Sequence, residues 1–353
     1  MTTPRKRATI ADIARRLGVS KAAVSFALND RPGVSTDLRE RVLAVAAELR
    51  YRPNSAALAL GRARVDVIGL VLNRPARTLG TESFFPELMA GIQAGLAETH
   101  TGLQTLVVAS LDEELAAYGT WQSAQRVDGV IVVDPRRDDA RIALLDELGL
   151  PAVQIGSHPS DDPLIPSVWI DDHAVATALF DTLFELGHRR VAHVMGPLDF
   201  EHTELRRAAL RECAGRYRAP EPRSVETDYS AEQSAEATRS LLQDGGRPTA
   251  IVYDNDVMAL AGLRVAQELG VAVPADLSLA SFDDSIAMRL VRPSITALTR
   301  DTYALGELAA RTLMDVIATA GPVSSVPAMP PTLSARESTA PLTDQRGGAN
   351  TSS

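Results

Sequence analysis

One cysteine, Cys213, occurs in 353 residues. An intramolecular disulfide is excluded, and the chain suits a reducing compartment. No apolar run reaches the roughly 18 residues that a membrane span needs. Basic residues near the N-terminus are not followed by an apolar stretch, so a secretory signal is not expected. These absences predict a cytoplasmic protein without a membrane partner.

Motifs for chemistry are also missing. Leu70–Pro75, after the first predicted strand, contains neither GxGxxG nor GK[ST], so no phosphate loop is expected. No GxSxG nucleophile elbow occurs. The His residues at 100, 158, 173, 188, 193 and 202 lack metal-ligand spacing and do not pair with the cysteine. Adjacent acids, Asp171-Asp172 and Asp283-Asp284, fall at predicted strand ends, where capping is the commoner role. The chain therefore reads as a non-enzyme with no cofactor and no metal.

The net charge of −9 argues against nucleic acid only when averaged. Residues 1–64 hold 13 Lys+Arg against 5 Asp+Glu, while the remainder holds 23 against 40. A small basic head on a large acidic body suits a phosphate-binding module attached to something that does not bind DNA.

The head has a specific grammar. Thr9 caps a first helix, with Asp12 placed to reach back to its free N–H groups. Ile10, Ile13, Ala14 and Leu17 recur at helical spacing. Gly18 supplies the left-handed stop. Ser20 caps a second helix whose inward face is Val24, Ala27 and Leu28. This is a helix-turn-helix, and its second helix would enter a DNA major groove. Ser35 or Thr36 begins a third helix with Leu38, Val42, Val45, Ala46 and Leu49 inward. Pro53 then stops it, and the short Ala/Leu segment after Asn54 is either a helix ordered only by packing against a partner or DNA, or a plain linker.

From Val65 the pattern changes to short β-branched runs alternating with amphipathic helices. The predicted strands are Val67–Leu72, Leu106–Ala109, Gly129–Val133, Ala152–Ile155, Val168–Ile170, Val191–Met195, Ala250–Tyr253 and Leu277–Phe282, with a last short one at Pro331–Ala335. Alternation of this kind means parallel sheets covered by helices. Two Rossmann-like subdomains accommodate the strands better than one sheet. Ligands of such folds bind at strand carboxyl ends, here an interlobe cleft.

These segments resemble the lactose-repressor/galactose-repressor (LacI/GalR) family of bacterial transcription regulators, from about Ala8 to Pro341. TIADIARRLGVSKAAVSFALN is similar to the family's headpiece, and Tyr51-Arg52-Pro53-Asn54 to its hinge entry. Ser83-Phe84-Phe85, Asp128-Gly129-Val130-Ile131, Glu185–Ala192, Asn255-Asp256, Ser278–Asp284 and Arg336-Glu337-Ser338-Thr339 resemble further family signatures in family order.

The resemblance implies an all-α helix-turn-helix headpiece plus an α/β, two-lobed, periplasmic-binding-protein-like (type I) effector domain. The expected limits are a headpiece at 1–52, a hinge at 53–63, an effector and dimerisation domain at 64–340 and a disordered tail at 341–353. Its N-lobe would cover about 64–165 and 294–322, its C-lobe about 166–293 and 323–340. The implied function is a ligand-responsive regulator, most simply a repressor. Its partners would be palindromic operator DNA, a small sugar-like effector and a second copy of the chain. A solute-binding receptor with the same body is the alternative.

For DNA, the resemblance puts Lys21, Ala22 and Phe26 against base edges. Thr9, Ser20 and Ser25 suit phosphates. Asn54, Ala57 and Leu60 would face the minor groove, with Leu60 as an apolar wedge. Phe26 has no hydrogen-bonding group, so direct readout would rest on Lys21. Alternatively Phe26 packs inside the headpiece.

For the effector, the candidates are Phe84, Phe85, Arg206, Tyr229, Asn255 and Asp283. Asn255 and Asp283 follow apolar runs and so sit at strand ends. Arg206 can donate in a fork, Asp283 can accept from two hydroxyls, and Tyr229 offers an aromatic platform. The plainer readings are an exposed Arg206–Glu204 helix pair and a capping role for Asp283. The family's usual Asp after Ala152–Ile155 is replaced by Gly156-Ser157, so one sugar-hydroxyl acceptor is missing from the N-terminal lobe unless Asp134 or Ser157 substitutes.

Overall fold

The computed structural model describes residues 8–51, 64–75, 79–156, 158–159, 163–319 and 321–342. The chain divides into two compact units at Val65 and Asp66. The expected hinge at 53–63, with Asn54, Ala57 and Leu60, lies outside the described residues, as do residues 1–7 and Ser157.

The first unit contains three helices, α1 (Ile10–Leu17), α2 (Lys21–Leu28) and α3 (Thr36–Glu48). Local chemistry sets their ends. At α1 the Asp12 carboxylate accepts from both the Thr9 amide (2.9 Å) and the Thr9 hydroxyl (2.7 Å). Gly18 has φ +67°, a conformation that costs a Cβ-bearing residue energy. Ser20 and Ser35 cap α2 and α3 by accepting from Ala23 N and Leu38 N. Ile13, Ala14, Val24, Ala27, Val42 and Ala46 form the buried centre, enclosed by half-buried Ile10, Leu17, Leu28, Leu38 and Val45. A core this small is near the lower limit for independent stability.

The second unit contains two six-stranded sheets. The first joins β1 (Val67–Asn73), β2 (Gly102–Val108), β3 (Gly129–Val132), β4 (Ala152–Gly156), β5 (Ser167–Trp169) and β11 (Val326–Pro327) in the order β11-β5-β4-β3-β1-β2. The second joins β6 (Val191–Met195), β7 (Arg223–Glu226), β8 (Ala250–Tyr253), β9 (Ser278–Ser281), β10 (Thr296–Thr299) and β12 (Thr332–Ser334) in the order β12-β10-β9-β8-β6-β7. All pairings are parallel except β10 with β12. Helices cover the sheets, as parallel connections require. They include α4 (Phe84–Leu96), α5 (Leu111–Ser123), α6 (Ala140–Glu147), α7 (Asp172–Glu185), α8 (Glu201–Arg216), α9 (Ala231–Gln243), α10 (Asp256–Glu268), α11 (Ile286–Leu290) and α12 (Thr302–Ala318).

Two Rossmann-like lobes are therefore present, but the crossings between them differ from the expected limits. β5 at Ser167–Trp169 and β11 at Val326–Pro327 belong to the first lobe, not the second. β10 at Thr296–Thr299 belongs to the second lobe, not the first. Each crossing falls a few residues beyond the composition change, because it follows a strand rather than a polar segment. The strands β7, β10 and β11 were not anticipated. They are short, and Arg-Ser-Val-Glu in β7 lacks the apolar run of an interior strand. The expected disordered tail also begins too early: the Leu342 amide donates to Leu186 O at 2.8 Å, so the packed chain extends at least to Leu342.

Candidate functional site

The exposed start of α2 carries Lys21 and Ala22. Phe26 is 38% exposed and is not among the residues of the buried headpiece centre, and its ring packs beside Gly33. Lys21 makes no ion pair among the described residues. Among the described residues the Ser20 hydroxyl only accepts, from Ala23 N. Ser25 is half-buried and shares Asn29 Nδ2 between its carbonyl and its hydroxyl. Thr9 differs from the expectation of a phosphate donor: its hydroxyl and its amide both donate to Asp12.

The second candidate site lies between the lobes. Phe84, Phe85, Arg206, Tyr229, Asn255 and Asp283 all line one cavity of about 840 Å³, its open mouth included. Strand and helix ends deliver them. Asn255 follows β8 and Asp283 follows β9, while Arg206 projects from the second turn of α8.

Arg206 is buried, which excludes the exposed pair with Glu204; Glu204 pairs with Arg207 instead. The Arg206 guanidinium donates to Asp254 (2.9 Å) and Asp172 (3.3 Å) and lies 4.3 Å from the Phe282 ring centre. Asp254 is wholly engaged. It also accepts from His193 Nε2 at 2.9 Å and from the Gly196 amide at 2.7 Å. Burial alone would raise its pKa, but His193 and Arg206 outweigh burial and hold the carboxyl far below the usual range.

Asp283 does not cap the following helix. Its carboxylate faces Arg300 at 3.6 Å, and burial raises its pKa despite Arg300 and Arg206. Asn255 both caps and faces the cleft. Its oxygen accepts from Met258 N at 2.8 Å, while its Nδ2 donates across to Glu82 at 3.0 Å. Burial pushes Glu82 up to about 8, and Arg74 only partly opposes this. Phe84 and Phe85 meet edge to face at 5.2 Å, and Phe85 is fully buried.

Tyr229 is not a free platform. The Arg74 guanidinium lies 4.0 Å from its ring centre and 4.8 Å from that of Phe200. Its hydroxyl lies 2.8 Å from His202 Nε2, whose pKa burial and Arg206 lower to about 4. The ring fits only because position 196 is glycine; a Cβ there would come within 1.9 Å of it.

Arg74 in turn makes a two-point contact with Asp134, Nε to Oδ2 at 3.0 Å and Nη2 to Oδ1 at 2.9 Å. Burial would raise Asp134, but Arg74 and His202 hold it below its ordinary pKa. Asp134 has φ +51°, and Arg141 secures that turn. The buried Arg141 guanidinium donates to Val133 O (3.0 Å), Asp134 O (2.8 Å) and Glu114 (2.9 Å).

Arg74, Glu82 and Asp254 are cleft residues that the sequence reading missed, and Asp134 was seen only as a substitute. Arg74, Asp134 and Asp254 each follow an apolar strand, the signal that selected Asn255 and Asp283. Glu82 carries no such signal, because only the meeting of the lobes brings it to Asn255. Among the described residues no group of His, Cys, Asp and Glu could hold a metal ion, and no helix is long and apolar enough to cross a membrane.

Comparisons with known proteins extend this geometry. Residues 9–54 match the model for bacterial regulatory proteins of the lacI family, and residues 180–339 match the periplasmic binding protein-like domain. The chain is 32% identical over 320 residues to the HTH-type transcriptional regulator CelR of Thermobifida fusca, covering 89% of this chain and 93% of the relative. A solved CelR–cellobiose complex superposes with a TM-score of 0.70 at 29% identity, covering 94% of this chain and all of the other. The lac repressor dimer bound to operator and the anti-inducer ONPF gives a TM-score of 0.81 at 27% identity, covering 95% and 100% of the two chains.

Proposed function

This chain belongs to the LacI family of bacterial regulatory proteins, and from that premise we propose that it is a homodimeric repressor controlled by a small polyhydroxylated effector in the interlobe cleft. That it is a ligand-responsive DNA-binding regulator follows from its relatives, which replaces the receptor alternative. The palindromic operator, the dimer and the sugar-like effector are the finer reading. One observation carries the effector part: all six predicted cleft residues line a single cavity between the lobes.

On the DNA side, Lys21 supplies the hydrogen-bonding contact to base edges, and Phe26 and Ala22 offer apolar contact to thymine methyls. Ser20 and Ser25 position the headpiece on phosphates. Two headpieces in a dimer read two half-sites. On the effector side, a ligand that touches both lobes selects one interlobe angle. A difference of about 1–3 kcal/mol in its affinity for two arrangements would change operator affinity by roughly 5–150-fold.

The experiment is a mobility-shift titration of the full chain on fragments of its own genome, without and with cellobiose and other neutral sugars. Sequence-preferring binding that one sugar shifts at least fivefold is the expected result. Binding that is indifferent to sequence at moderate salt would refute the operator reading. Specific binding that no sugar alters would refute the effector reading alone.

A further inference from the structure

The cleft's charges are arranged in a way that bears on which ligands it admits. Three guanidinium groups, from Arg74, Arg206 and Arg300, line the cavity. Each already faces a carboxylate of the same cavity. Arg74 holds Asp134 through two hydrogen bonds, Arg206 holds Asp254 and Asp172, and Arg300 faces Asp283. Arg74 moreover packs against the Tyr229 and Phe200 rings, whose centres lie 4.0 and 4.8 Å from its guanidinium.

Carboxyl groups outnumber the cations. Asp134, Asp172, Glu201, Asp254 and Asp283 stand against three guanidiniums, and Glu82, pushed up to about 8, adds a sixth carboxyl that is mostly protonated at pH 7. An entering anion would find no uncommitted cation. It would also be brought, in a largely water-excluded space, next to acids with which it shares the sign of charge. A neutral hydroxyl meets no such obstacle. It can donate to a carboxylate and accept from a guanidinium N–H, and Arg206 Nε and Arg300 Nε are buried without a hydrogen-bond partner among the described residues.

We infer that the cleft takes an uncharged polyhydroxylated effector and rejects phosphorylated or carboxylated sugars, and that the Arg74–Asp134 pair is a specificity-determining element. Asp134 neutralises a guanidinium that reaches from the first lobe onto the aromatic rings of the second. This rests on the effector reading above and adds the sign of charge to it.

The test uses matched ligand pairs on the full chain: cellobiose with cellobionic acid, and glucose, galactose and maltose with their monophosphates. Each is titrated calorimetrically at pH 7. At least one neutral member should bind, with its anionic partner weaker by roughly tenfold or more. An anionic member that binds as tightly as its parent would overturn the inference while leaving the cleft as the effector site. If no member of any pair binds, the effector reading falls, and the charge rule with it. The Asp134→Asn variant sharpens the assignment. It should narrow the neutral-over-anion preference at least fivefold, because Arg74 then has its charge available. An unchanged preference in folded Asp134→Asn protein would remove the pair from the inference, and the wild-type pairs decide the charge rule even if that variant does not fold.

Discussion

The headpiece and the cleft are built from similar residues but place their charges oppositely. In the headpiece the ion pairs stand in water: Arg16 meets Glu48, and Arg15 meets Asp12, with side chains that remain a third or more exposed. The centre is purely aliphatic. In the cleft the ion pairs are the interior. Arg206 with Asp254 and Arg74 with Asp134 are buried among Phe282, Phe200 and Tyr229. Charges left in water contribute little to stability. Buried ones are costly to desolvate, and removing one partner strands the other. The headpiece can thus present a surface to DNA without internal tension, whereas the cleft keeps some polar groups open to a ligand and depends on the ion pairs that hold the rest.

This contrast breaks most sharply at Asp254. Asp254→Ala leaves Arg206, His193 and the Gly196 amide without their shared acceptor, and should cost about 3–5 kcal/mol of stability. Urea unfolding of the full chain reads this directly. A loss below about 1 kcal/mol would mean that the buried network relaxes or hydrates far more than its geometry implies.

The next effect is one of pH. Burial raises Glu82 from 4.5 to about 8, so the folded protein binds that proton more tightly than the unfolded chain does. The contribution of Glu82 to stability is fully present below about pH 4.5 and is lost as pH rises through 8, by up to about 1.4 kcal/mol per unit. In Glu82→Gln this part of the slope should vanish. Isothermal unfolding at pH 5, 6, 7 and 8 compares the two; parallel slopes would exclude Glu82 as the source.

The smallest effect belongs to the headpiece surface. Glu48→Ala breaks the Arg16 pair at 2.5 Å, yet should change stability by no more than about 1 kcal/mol. Hydrogen exchange of amides in α1 and α3 is a suitable monitor, since it isolates the headpiece. Deprotection equal to that of a core truncation would mean that this exposed pair supports the headpiece as strongly as its aliphatic centre does.

The headpiece was readable almost residue by residue. Thr9, Gly18, Ser20 and Ser35 act within a turn of their own positions, so neighbours in sequence suffice to place them. The α/β pattern was readable for the same reason, and so was the strand-end position of Asn255 and Asp283. The lobe crossings were less legible, because β5, β10 and β11 are two to four residues long and gain their identity from the sheets they join. Phe26 shows a middle case. Its lack of hydrogen-bonding groups is chemical and was evident, whereas its exposure depended on how α2 packs.

What the amino-acid order determined by itself is therefore local: caps, stops, amphipathic faces, the alternation that produces two parallel sheets, and the family signatures along the chain. What only the tertiary structure decided is who faces whom. Asp254 is placed between His193 and Arg206, neither of them close to it in sequence, and Arg74 is brought across the cleft onto Tyr229. Helix and strand signals act over a few residues, but a buried charge finds its counter-charge only when distant strands bring their carboxyl ends together, and there proximity in space sets the energy.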